Sequence, residues 1–260
     1  MKNIVPKILC LSVALSLASL IPTPRAKAQS VDKQELLGRI RVAYYNPRNH
    51  GLKSFRAIVH PQIVSMPAPP GMLDSVNAAF NRIRFSVVVD SNNNVNVAHA
   101  GDPPAAYQQL FANSEKGLSD LLHSWIGFVL MPALAGIDSS STINTKGLSY
   151  IIITPRLTDT TTIVVSKDLV IHKITHSGTG FLTSEVTPHF TMTKEGLLFS
   201  GSDASFITST NTQEVPGAQT SFEYEQVHDL QLPKAIHFKS SVGDKHIEMM
   251  WTFSDYDVNS

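Results

Sequence analysis

The sequence predicts an α+β protein in which helices gather on one face of a large curved antiparallel sheet. Three observations predict it. Helical periodicity marks segments up to about Met131 and is gone after Gly147. From there, about eight apolar-alternating runs follow one another, parted by turn residues at hairpin spacing. No stretch of the chain repeats with a period of about 20 to 50 residues, which argues against a solenoid or propeller.

Residues 1–28 read as a cleavable secretory signal peptide. Lys2 and Lys7 precede an apolar run from Ile8 to Ile21, and Ala26-Lys27-Ala28 supplies a small-x-small cleavage pattern. The run is about 14 residues, short of the ~20 a membrane-spanning helix needs, and Pro22 and Pro24 interrupt it. Export follows, to the periplasm or by secretion, with no transmembrane segment expected in the mature chain. Residues 29–260 are expected to form a single domain, long enough to bury a sizeable core.

The only cysteine, Cys10, lies in the leader, so a processed chain has no disulfide, thiolate metal site or cysteine nucleophile. Residues 1–28 hold four basic residues and no acidic one, leaving 17 basic against 21 acidic residues in the mature chain. That mildly acidic balance argues against nucleic acid or anionic lipid as the principal partner.

Val31, Leu36, Leu37, Ile40 and Tyr44 fall at helical spacing behind Asp32, and Asn46-Pro47 ends the pattern. Leu52 to Ser65 alternates like a strand, with Pro61 marking an edge or bend. A second short helix is expected over Met72 to Arg82, then a hairpin of Ile83 to Val89 and Val95 to Ala98 around Asp90-Ser91-Asn92-Asn93-Asn94. Asp102-Pro103-Pro104 opens a longer helix running to about Met131. Its stripe Leu118, Leu121, Leu122, Trp125 and Val129 is widened by Ile126, Phe128 and Leu130, more apolar surface than one face holds. This helix is either a core helix on the sheet or a lid over a cavity.

Strands are expected near 148–155, 160–166, 169–176, 182–193, 196–207, 218–230, 234–242 and 246–256, and the Asp138 to Thr145 and Thr208 to Gly217 stretches as loops. Their inward candidates include Ile151, Ile153, Leu169, Phe190, Met192, Phe206, Phe222, Phe238, Ile247, Met249, Trp251 and Phe253. A sheet so lined encloses either a filled core or a lipophilic pocket. The binding residues expected for a pocket are Leu118, Leu121, Leu122, Trp125, Val129, Phe190, Phe222, Trp251 and Phe253.

The search for chemistry is largely negative. His172 and His176 on a strand stand about 13 Å apart, too far to share a metal, and no metal or catalytic residue is assigned. No Gly-x-Ser-x-Gly elbow occurs, and phosphate loops and dinucleotide fingerprints are absent, so no cofactor is expected. Glu223 and Glu225 share a strand face about 7 Å apart, a spacing that glycosidase acid pairs can have. With His172 and His176 they are the first suspects for an exported hydrolase, the main alternative to a carrier. An envelope interaction protein with a filled core is the third reading.

The C-terminal run Leu232-Pro233-Lys234-Ala235-Ile236-His237-Phe238, followed by Phe253-Ser254-Asp255-Tyr256-Asp257-Val258-Asn259, resembles the closing hairpin of the periplasmic lipoprotein-carrier (LolA-like) superfamily. Leu52 to Ala57 is similar to that superfamily's entry into its first strand, and Ile163 to Ile174 to a central strand pair. The resemblance implies an incomplete β-barrel with a helical lid over an apolar cavity for acyl chains, and an envelope membrane protein as donor or acceptor. It also implies a buried arginine that holds the lid, for which Arg39, Arg41, Arg56, Arg82 and Arg84 are equal candidates. The Gly101 to Gly147 stretch is longer than a compact carrier needs.

Overall fold

A computed structural model describes residues 32–129, 137–178, 183–208, 211–242 and 245–259. The expected signal peptide, and the expected end of the long helix at Leu130 and Met131, lie outside these residues.

Local chemistry explains the first elements. Helix α1 (Lys33–Ala43) is capped by Asp32, whose carboxylate accepts from the Glu35 N–H at 3.0 Å, and it buries Leu36, Leu37 and Ile40. Strand β1 (Ser54–Ser65) alternates in burial as its sequence does. Helix α2 (Met72–Phe80) and the hairpin of β2 (Arg84–Val89) and β3 (Val95–Ala100) follow. Asp90 shapes that hairpin turn by accepting from the N–H groups of Asn92 and Asn94, each at 2.8 Å. The Asp102-Pro103-Pro104 signal opens only a 3₁₀ turn, Ala105–Tyr107, and the long helix α3 runs from Gln108 to Val129.

Among the described residues the second half is strands alone: β4 (Thr142–Lys146), β5 (Ser149–Pro155), β6 (Asp159–Ser166), β7 (Ile171–Gly178), β8 (Thr183–Thr193), β9 (Gly196–Thr208), β10 (Asn211–Val227), β11 (Leu230–Val242) and β12 (Lys245–Asn259). Two expected loops contain strand. Thr142–Lys146 is an exposed edge strand, which needs no apolar alternation to signal it. Strand β9 ends at Thr208 and β10 starts at Asn211, with register shifts at Asn211/Glu214 and Pro216/Ala218 interrupting their pairing.

All strand pairs are antiparallel, in one open 12-stranded sheet ordered β3-β2-β1-β12-β11-β10-β9-β8-β7-β6-β5-β4. The fold class is therefore α+β as expected. The last strand lies between the first and the penultimate one, with Ser54 opposite Asn259 and Ile236 opposite Trp251. One cross-strand row, Ile143, Ile152, Ile163, Ile174, Val186, Ala204, Ala218, Ser240 and Ile247, identifies the helix-bearing face, because directly paired residues project to the same side.

That row corrects the phase of one strand. Ile152 is fully buried while Ile151 and Ile153 are half-exposed. Three consecutive isoleucines carry no alternation, so period two cannot choose between them. Met192, Phe206 and Ile247, expected inward, are exposed, and Leu169 sits in a turn at φ 67°.

Helix α3 lies across the strands. Its 22 residues span about 33 Å at 1.5 Å each. Glu115, which His99 on β3 meets at 2.6 Å, and Phe128, which stacks on Phe199 of β9 at 4.3 Å, lie about 20 Å apart along it. Helix α2 packs beside it through Phe80, whose ring lies 4.5 Å from Phe111. Beyond the end of β2's pairing, the N–H and C=O of Ile63 on β1 are both taken by the Asn77 side-chain amide at 2.9 Å. Pro61 lies on the same bare stretch of β1, where its missing N–H costs no ladder bond.

Candidate ligand-binding groove

The surplus of apolar residues on α3 is divided between two flanks. Phe111, Ser114, Leu118, Leu122, Trp125 and Val129 form the buried stripe. Two indole N–H groups pin this stripe to the sheet. Trp251 Nε1–H donates to Ser114 Oγ at 3.3 Å, and Trp125 Nε1–H donates to Tyr224 Oη at 3.0 Å. The Tyr224 hydroxyl in turn donates to the Phe199 carbonyl. Burial raises the Tyr224 phenol well above its ordinary pKa, with the Trp125 bond opposing, so this relay stays protonated and neutral.

The second flank of α3 borders a groove. Leu110, Asn113, Gly117, Asp120 and Leu121 face Ile63 and Met66 at the end of β1, Phe238 on β11, and Ile247, Met249 and Trp251 on β12, across a groove of about 360 Å³. The walls are apolar except for Asn113 and Asp120, and both are engaged along the helix. Gln109 Nε2 donates to Asn113 Oδ1 at 2.9 Å, and Lys116 pairs with Asp120 at 2.5 Å. The groove therefore offers an apolar floor with a polar, charged rim on the α3 side, an arrangement that desolvates hydrocarbon and leaves a polar end in water.

Of the expected binding residues, Leu121 and Trp251 line the groove. Leu118, Leu122, Trp125 and Val129 are buried on the pinned stripe. Phe190 and Phe222 flank Phe199, at 5.9 Å and 5.3 Å between ring centroids, and Phe253 stacks on Tyr256 at 6.4 Å. Ile63, Met66, Leu110, Asn113, Gly117 and Asp120 are wall residues that sequence reasoning did not single out. Their signal was the helical spacing of Leu110, Gly117 and Leu121 on one side of α3, hidden by the glycine and the two polar residues among them.

The four residues first suspected of catalysis are not brought together. His176 bonds Thr161 at 3.0 Å, His172 falls in a register shift opposite Val164 and Val165, and two strands separate both from β10. Glu223 on β10 instead pairs with His237 at 3.2 Å on the sheet's other face, beside a second such pair, His189 and Asp203 at 2.9 Å. Among the described residues no three or more His, Cys, Asp or Glu side chains are grouped to hold a metal ion.

Arg39, Arg41, Arg56, Arg82 and Arg84 are all exposed. The arginine that organises structure is Arg48, which donates to the carbonyls of Leu52, Lys53 and Asp90 and to Asn93 Oδ1 at 2.7 Å. It ties the β2–β3 turn to the approach to β1. Among the described residues no helix is long and apolar enough to cross a membrane.

No family model and no curated protein matches the sequence. Among solved structures, the chain is similar to that of a LolA superfamily protein from Nitrosomonas europaea, at 12% identity and a TM-score of 0.37, covering 89% of this chain and 95% of that one.

Proposed function

We propose that the chain is an exported carrier that shields an apolar ligand, such as a lipid or the acyl chain of a lipoprotein, between α3 and strands β1, β11 and β12. The apolar groove is the observation that carries this reading. Its volume of about 360 Å³ is within the range of small-molecule sites, and its walls leave hydrocarbon as the chemistry to be satisfied. Each methylene transferred there from water contributes about 0.8 kcal/mol. Exposed Ile247 at one wall extends the apolar surface to the mouth, where a ligand would pass to or from an envelope membrane protein.

The test is to purify the protein from exporting cells, extract it for lipid mass spectrometry, and titrate it with a fluorescent acyl probe. A copurifying lipid that the probe displaces is expected. Repeated preparations without lipid and without probe binding would sink the proposal.

A further inference from the structure

We infer that Gly117 decides which ligands the groove accepts: its missing side chain leaves a notch in α3 across which one linear alkyl segment lies. This rests on the carrier reading above and adds the position and shape of the ligand's passage over the helix.

Glycine in a helix interior needs a reason, because apart from proline it is the poorest helix former. The usual reasons are absent at Gly117. It lies in regular α-helix, and a Cβ built there meets nothing within 4 Å. Gly196, at φ 122°, shows the contrast: a Cβ there would approach the Ala43 carbonyl to 2.7 Å. Gly38 and Gly127 are also open, yet neither is a wall of the groove. Gly117 is, facing the sheet side formed by Phe238, Met249 and Trp251.

The space has a definite shape. On an α-helix the residues three and four positions away are about 5–6 Å distant on the same side, so Asn113 below and Asp120 and Leu121 above bound the notch. An opening of one residue admits a single polymethylene chain and excludes a fused-ring system. The apolar floor holds the chain, while the Lys116–Asp120 pair marks the water-facing side where a polar head would remain.

The experiment compares wild type with Gly117→Ala, Gly117→Leu and the control Gly127→Ala in the full chain as exported, using cis-parinaric acid as a linear probe and thermal melts for stability. Gly117→Ala should raise the melting temperature by about 2–4 °C, the usual response of a protein this size to a better helix former. It should also weaken probe binding about threefold. Gly117→Leu should weaken it at least tenfold at an unchanged circular dichroism spectrum. Gly127→Ala should stabilise without altering binding. Wild-type probe affinity in both Gly117 variants, or equal loss in Gly127→Ala, overturns the role of Gly117 while leaving the carrier reading standing. Failure of wild type itself to bind the probe overturns both.

Discussion

Tyr44 shows how a single hydroxyl ties distant segments of this chain together. It accepts from the Ile171 N–H at 2.7 Å and donates to the Leu169 carbonyl at 3.1 Å, joining the end of α1 to the β6–β7 turn. Burial pushes its phenol up to about 12, the Ile171 bond partly opposing. A folded-state value above the unfolded one means the stabilisation is complete below about pH 10 and is lost as pH rises towards 12. Urea unfolding followed against pH should show stability falling over that window, with tyrosinate absorbance appearing together with unfolding. Tyr44→Phe leaves the Ile171 N–H buried and unpaired, and should cost about 1–3 kcal/mol at neutral pH while making the alkaline fall shallower. Asp90 has the opposite sign. The Asn94 side chain, followed by backbone N–H groups, holds its carboxyl below the usual value, so its contribution is present at neutral pH and fades as acid protonates it.

At the scale of elements, α3 is held by packing and by side-chain hydrogen bonds, among them the Trp125–Tyr224–Phe199 relay, whose two side chains are unequal to remove. Trp125→Phe deletes a donor but leaves the Tyr224 hydroxyl bonded to Phe199, and should cost about 1 kcal/mol. Tyr224→Phe strands both the Trp125 N–H and the Phe199 carbonyl, and should cost roughly 2–4 kcal/mol, measured by chemical denaturation. Strands β9 and β10 approach so closely at Gly201 that only glycine fits. Gly201 has φ 153°, and a Cβ on it would strike the Thr220 carbonyl. Gly201→Ala should therefore destabilise by about 3 kcal/mol or more, visible as a lowered melting temperature.

The whole molecule depends on one long-range closure. Strand β12 separates β1 from β11, so the first and last strands of the described chain pair with each other inside the sheet, away from both of its edges. A chain truncated before Lys245 would lose Trp251 and Phe253 and leave two bare edges in the interior. Such a variant should show no cooperative melt. Occupation of the groove should act in the other direction: an apolar ligand at 100 times its dissociation constant stabilises by about 2.7 kcal/mol, or about 5–10 °C in melting temperature.

Much of this architecture was legible before any coordinates. Helices capped by Asp32, alternation in β1, hairpin turns and the strand-rich second half are local properties, encoded within a few residues and expressed wherever the chain is placed. Ile151-Ile152-Ile153 and the polar strand Thr142–Lys146 mark the limit: burial phase and edge pairing are decided by neighbours contributed from elsewhere. The groove belongs wholly to that second category. The sequence showed that α3 carries more apolar surface than one face can bury. Only the packing of α3 against β1, β11 and β12 decided that Leu118 and Trp125 fill the core while Leu121, Gly117 and Trp251 border open space. A cavity is the volume left over between elements, and no single segment specifies what its neighbours leave unfilled.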